Sequence, residues 1–177
     1  MADDARNKRF EHAALAHLDA AFNLARWLTR NDQDAEDVVQ EAFMRALRFI
    51  DSYQGGSARA WMLAIVRNTC FSWLEKNRPH WLQSGLDIEA LPLADESPSG
   101  EDPARSALRN ADRDMLARAL DALPVVFREA IVLRELEDFS YKDMAQMLGV
   151  PIGTVMSRLA RARRMLREAL GKEIGDG

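Results

Sequence analysis

The chain has 177 residues, 47% of them hydrophobic and 29% charged, which is enough apolar mass for one or two small cores and an ordinary charge density for a soluble globular protein. A formal net charge of −4 and a pI near 5.5 exclude a protein that coats nucleic acid through its average charge, so any grip on DNA must come from segregated charge. The single cysteine, Cys70, excludes an internal disulfide and has no metal-ligand spacing with His12, His17 or His80, so it reads as a small packed residue.

The pattern is helical nearly throughout. In the first predicted helix Phe10, Ala14, His17, Leu18, Ala21, Leu24, Ala25 and Leu28 make one apolar stripe, and the polar cluster Asn31 to Asp34 ends it and caps the next helix. The second helix places Ala35, Val38, Val39, Ala42, Phe43, Ala46, Leu47 and Ile50 on its inner face and Glu36, Asp37, Gln40 and Glu41 on or near the outer one. From Asp32 to Glu41 there are five acids and no base. Acids at a helix start complement its dipole, which accounts for two of them; five with no base beside them suggest a surface for a basic partner.

A loop from Asp51 to Gly56 follows, in which Gly55 and Gly56 permit unusual backbone angles, and then Ser57 caps a helix from Ala58 to about Lys76. One of its stripes holds Trp61, Ala64, Ile65, Asn68 and Ser72, another Met62, Val66, Thr69 and Trp73. Aromatic stripes at this spacing are more often core than binding site, and Asn68 is expected to need partners for a buried amide.

Proline then interrupts the pattern at Pro79, Pro92, Pro98 and Pro103, marking a tether over residues 79–111 between a first domain, 1–78, and a second, 112–177. Six acids and no base lie between Asp87 and Asp102. The second domain ends in a helix-turn-helix pattern. Ser140 followed by Asp143 is a capping box; Tyr141, Met144, Ala145 and Leu148 form a short buried stripe; Gly149 and Pro151 make the corner. The next helix, from about Ile152, buries Val155, Leu159, Ala162 and Leu166 and leaves Ser157, Arg158, Arg161, Arg163, Arg164 and Arg167 to project elsewhere. Arginines at helical spacing also suit a plain solvated face, but the turn ahead of them favours a recognition helix, with Thr154 near its start offering a hydroxyl or an amide to phosphate.

No apolar run approaches the ~20 residues a membrane span requires, and the N-terminus lacks a basic-then-apolar leader, so a cytoplasmic protein without membrane insertion is expected. Neither a glycine-rich phosphate loop, a nucleophile elbow nor a paired-histidine zinc motif occurs, so the expectation is no enzyme, no cofactor and no metal site.

Three blocks, Asp34 to Leu47, Ala60 to Asn68 and Leu123 to Leu166, make the chain resemble the bacterial RNA polymerase sigma factors of the extracytoplasmic-function group, the smallest members of the sigma-70 family. The resemblance implies an all-α chain of two small helical domains, sigma-2-like and sigma-4-like, joined by a flexible acidic linker. It implies that Asp34, Glu36, Asp37, Gln40 and Glu41 dock on the β′ clamp of core RNA polymerase. It places Tyr53, Gln54, Gly55, Gly56, Ser57, Arg59, Trp61 and Asn68 at the −10 element, where a base is captured as the promoter melts. It gives Thr154, Met156, Ser157, Arg158, Ala160, Arg161 and Arg164 to the −35 element, with the β flap as that domain's second partner. A cognate anti-sigma factor and a stress- or signal-responsive regulon are implied too. Met156 stands where many relatives carry Lys or Arg, Ala160 is small, and Ser72 and Glu75 replace an Asp and an Arg, so base preferences do not transfer. The different class of reading is a helix-turn-helix regulator that binds operator DNA without polymerase.

Overall fold

In the computed structural model the described residues are 1–86 and 113–175, and all regular structure among them is helical. The chain divides into two compact units near Pro79.

In the N-terminal unit α1 (Ala2–Ala13) leads through a 3-10 turn (Leu15–His17) into α2 (Leu18–Thr29). The continuous helix expected through Phe10 and Leu28 is therefore two. A 3-10 turn advances by 3.0 residues where an α-helix uses 3.6, and this re-phases the stripe. Ala13, Ala14, Ala21, Leu24, Ala25 and Leu28 are buried, whereas Leu18, expected in the core, is 46% exposed. Phe10 meets the edge of Phe43 at 6.3 Å between ring centroids.

Asn31 caps α3 (Asp32–Phe49) by accepting the Asp34 N–H at 2.9 Å, and Ala35, Val38, Val39, Ala42 and Ala46 face the core, followed by Ile50 in a 3-10 turn (Ile50–Ser52). Ser57 caps α4 (Ala58–Asn77), accepting the Ala60 N–H at 3.1 Å. The core side of α4 is Met62, Leu63, Val66, Thr69, Cys70 and Leu74. At roughly 1.5–3 kcal/mol per large apolar side chain removed from water, this stripe holds α2, α3 and α4 in mutual contact. It also fixes the opposite side of α4, where Trp61 and Asn68, seven residues apart, sit together. Asn68 is exposed, so the buried amide expected there is corrected: the core face is centred nearly half a turn away from it.

The first eight residues of the expected tether form α5 (Pro79–Leu86), with proline in the first helical position, where its missing N–H costs nothing. The acidic stretch Asp87 to Asp102 lies outside the described residues.

In the C-terminal unit α6 (Arg113–Asp121) and α7 (Val125–Ile131) pack against α9 (Ile152–Gly175). Arg128 is 2% exposed and donates through Nη1 to the Asp121 and Leu123 carbonyls at 3.2 and 3.0 Å, satisfying one acceptor in the last residue of α6 and one just beyond it. The last turn of α7 widens into a π-helical segment (Val132–Leu136), and Asp138 then adopts a left-handed φ of 56°. Ser140 starts α8 (Tyr141–Leu148) by accepting the Asp143 N–H at 3.0 Å, Gly149 turns the chain at φ 64°, and α9 buries Val155, Leu159, Ala162 and Leu166. The helix-turn-helix is built from the residues that predicted it.

Candidate nucleic-acid interface

The buried stripe of α9 determines what its other sides offer. Thr154, Ser157, Arg158 and Arg161, spaced i, i+3, i+4, i+7, line with Phe127 a depression of about 130 Å³. Ser157 Oγ donates to the Thr154 carbonyl at 3.0 Å, which holds its oxygen in place as an acceptor. The Thr154 amide is bonded to the Pro151 carbonyl at 3.0 Å, so Thr154 brings its hydroxyl and not a spare N–H. Met156, Ala160 and Arg164 follow one another every fourth residue on an adjacent strip, Met156 being 53% exposed. The seven predicted residues thus divide into two neighbouring strips.

Arg163 belongs to neither. It donates to Glu135 at 2.8 Å, and the Glu135 side chain is only 8% exposed. Burial works against the Arg163 charge, but its bonds to Glu135 and Tyr141 outweigh burial and raise its pKa. The expectation that Arg163 projects freely is corrected: its position on α9, on the flank nearest the π segment, places it against Glu135. Arg134 braces the same corner, donating to the Phe139 carbonyl at 2.8 Å with its guanidinium 4.9 Å from the Tyr141 ring centroid.

In the N-terminal unit the Gly-Gly loop is shaped, not slack. Gly55 and Gly56 take φ of 93° and 84°, values at which a side chain is strained. Tyr53 donates its hydroxyl to the Gly56 carbonyl at 2.9 Å across that turn, and its ring lies 5.2 Å from Trp61 at 43°. Two aromatic rings are thereby presented at the start of α4, Trp61 half-buried and Gln54 and Ser57 exposed beside them. Asn68 Oδ1 accepts from Arg67 at 3.3 Å, and the Arg67 guanidinium covers Phe71 at 4.0 Å. Arg59 is half-buried near His17; burial, and then the Arg59 charge, lower the His17 pKa below its ordinary 6.5. Nothing in the spacing of the sequence had linked those two residues.

The acidic face needs a larger correction. Asp32 pairs with Arg26 from α2, Asp34 with Arg78 at 3.3 Å, and Glu41 with Arg45 one turn along. The acids looked unpaired because their bases come from outside the ten-residue window. Glu36 and Asp37 carry no ion pair among the described residues, and both are exposed, as is Gln40. Met44, 63% exposed and absent from the sequence-based list, continues the row Asp37, Gln40, Glu41 at helical spacing.

Among the described residues no cluster of His, Cys, Asp and Glu has the arrangement to hold a metal ion, and no helix is long and apolar enough to cross a membrane.

Comparison with known proteins places both units. Sigma-70 region 2 matches residues 14–80 and Sigma-70, region 4 matches residues 113–166. The ECF RNA polymerase sigma factor SigE of Mycolicibacterium smegmatis is 35% identical over 96% of this chain, which spans 65% of that protein's length. The ECF RNA polymerase sigma-E factor of Escherichia coli is 36% identical over 75% of this chain and 72% of its own. Among solved structures, the sigma factor RpoE of Bartonella quintana, in complex with the anti-sigma factor NepR, superposes with a TM-score of 0.69 at 32% identity, covering 93% of this chain and 98% of that one. CnrH, in complex with the cytosolic domain of CnrY, gives 0.61 at 25% identity over 92% and 88%.

Proposed function

Because the chain belongs to the extracytoplasmic-function group of the sigma-70 family, we propose that it binds core RNA polymerase and directs it to two-part promoters, acting in the cytoplasm by binding alone, without catalysis of its own. The row Asp37, Gln40, Glu41 and Met44, with Glu36, supplies negative charge and one apolar contact to a basic surface on the β′ clamp. Asp34, its side chain only 23% exposed and paired with Arg78, is a minor contributor there, whereas Glu41, paired with Arg45 but 54% exposed, still faces solvent.

Melting is driven by binding energy. Extruding a base costs a few kcal/mol, and stacking on an aromatic side chain returns roughly 1–3 kcal/mol per base. The loop Tyr53 to Ser57, with Arg59, Trp61 and Asn68, receives the −10 strand, Tyr53 and Trp61 as the stacking surface. On α9, the strip Thr154, Ser157, Arg158 and Arg161 and its neighbour Met156, Ala160 and Arg164 read the −35 element in the major groove. A good bidentate arginine contact there is worth roughly 1–3 kcal/mol of discrimination. The β flap is the second partner of this unit. An anti-sigma factor that covers the polymerase-binding faces fits the same surfaces, as does control of a stress- or signal-responsive regulon.

One observation carries this reading: the acidic row of α3 and the Tyr53–Trp61 surface lie on consecutive elements of one unit, so docking and base capture are mechanically joined. An operator-binding protein has no use for that coupling. The test is transcription of fragmented genomic DNA by core polymerase with and without this protein, with RNA 5′ ends mapped. New starts sharing a spaced two-part upstream motif support it; none, from a core active with another sigma factor, would make operator binding the better reading.

A further inference from the structure

The Sigma-70 region 2 match begins at residue 14, so α1 stands ahead of it. This helix has almost no apolar side to dock with: of its residues only Ala13 is buried, and Phe10 makes the ring contact with Phe43. Besides its packing against α4 and the Phe43 ring, it is held by two arginines three residues apart. Arg6 donates to the Leu47 carbonyl in the last turn of α3 at 3.0 Å and pairs with Asp51 at 3.3 Å; Arg9 donates to the Tyr53 carbonyl at 2.6 Å. Both donors therefore act on the backbone and side chains of one short stretch, the exit from α3 into the Gly-Gly loop.

We propose that α1 is a positioning arm for the −10 loop: Arg6 and Arg9 hold the segment Leu47 to Tyr53 so that the Tyr53 ring is fixed beside Trp61 before a base arrives. This rests on the reading of Tyr53 and Trp61 as the base-capturing pair. The physical reason an arm is needed is the loop itself. Two successive glycines at positive φ have more backbone freedom than any other pair, and an unrestrained loop must lose that freedom at the moment of capture. The Tyr53 hydroxyl bond to Gly56 ties the far side of the turn; the Arg9 bond to the Tyr53 carbonyl ties the near side. Arg6, capping a carbonyl at the end of α3 and pairing with Asp51, fixes the point from which the loop departs. Neither arginine need touch DNA or polymerase, which makes both positioning residues.

The test uses the full chain with core polymerase on a promoter mapped as above, comparing Arg6→Ala/Arg9→Ala, Tyr53→Ala and the unaltered protein by amide hydrogen exchange and by the rate of promoter opening. For the double variant the expected result is faster exchange of amides 51–57 with protection in α2, α3 and α4 retained. Polymerase affinity stays unchanged, and opening is on the order of tenfold to a hundredfold slower, as for other misplacements of about 1 Å. A template already unpaired at −10 should recover most of the loss. Opening and loop exchange at the unaltered level in the double variant, with opening lost in Tyr53→Ala, would overturn the arm alone. Protection lost throughout α2 to α4 would make the arginines structural and overturn it too. Normal opening by Tyr53→Ala would overturn the base-capture reading and the arm together.

Discussion

In the C-terminal unit a single helix, α9, carries both the packing stripe and the side chains proposed to meet DNA, so Val155, Leu159, Ala162 and Leu166 orient Thr154, Ser157, Arg158 and Arg161 directly. In the N-terminal unit the corresponding surface is assembled from α3, a glycine loop, the first turns of α4 and two arginines of α1, and the Arg9 to Tyr53 bond spans 44 residues. The first design yields a rigid surface, which under the proposed function reads DNA with the precision of a packed helix. The second yields a surface whose parts must be held together, which under the proposed function grips a strand that changes shape as it binds. A damaged contact should accordingly alter specificity in the C-terminal unit and the opening step in the N-terminal one.

That contrast is most sharply tested at the acidic face. Asp37→Arg places like charge against a basic partner and is expected to weaken core polymerase binding by on the order of a hundredfold with the fold intact, measured by fluorescence titration. Asp34→Asn breaks only the Arg78 pair and should cost about 1 kcal/mol or less of stability, with a much smaller change in affinity. Equal loss in the two variants would dissolve the distinction between exposed and paired acids. Next in size, Arg161→Ala or Arg158→Ala should cost roughly 1–3 kcal/mol of discrimination at the −35 element, read from competition between matched and mismatched promoters, while polymerase affinity is unchanged.

Glu135→Gln should lower the thermal stability of the C-terminal unit by about 1–3 kcal/mol, since it leaves Arg163 half-sequestered without its carboxylate. At the −35 element it should do less than Arg161→Ala. The smallest effect concerns pH. The His17 pKa is lowered on folding, so the unfolded chain binds that proton more tightly, and stability of the N-terminal unit falls as pH drops from about 6.5 through the lowered value. Calorimetry between about pH 8 and pH 5 should show a shallower decline for His17→Gln than for the unaltered chain.

How much of this was readable in the sequence follows the same division. The α9 stripe, the Ser140 cap, the Gly149 corner and the Asn31 and Ser57 caps are local signals, decided within a few residues, and each formed where its pattern placed it. What the sequence concealed were pairings that reach beyond the acidic window, two of them, Asp34 with Arg78 and Glu135 with Arg163, between distant segments. Asp32, Asp34 and Glu41 looked unpaired until Arg26, Arg78 and Arg45 came to them, and Arg163 looked available until the π segment delivered Glu135. The Leu15–His17 turn was missed because a three-residue change of helical phase leaves almost the same apolar spacing on either side. By pattern alone Trp61 and Asn68 read as core, because aromatic stripes usually are, while the family resemblance placed them at the −10 element; the stripe through Met62, Leu63, Val66, Cys70 and Leu74 took the core. Arg6 and Arg9 had only their three-residue spacing to announce them.

The central claim is that the two units read separate promoter elements by separate means. Its most direct test is run-off transcription from one mapped promoter in which the −10 and −35 elements are altered independently, using the unaltered protein, Tyr53→Ala and Arg158→Ala/Arg161→Ala. The account predicts that the arginine variant becomes indifferent to −35 changes while keeping its −10 dependence, and that Tyr53→Ala shows the reverse. Identical losses of both dependences in the two variants would contradict it.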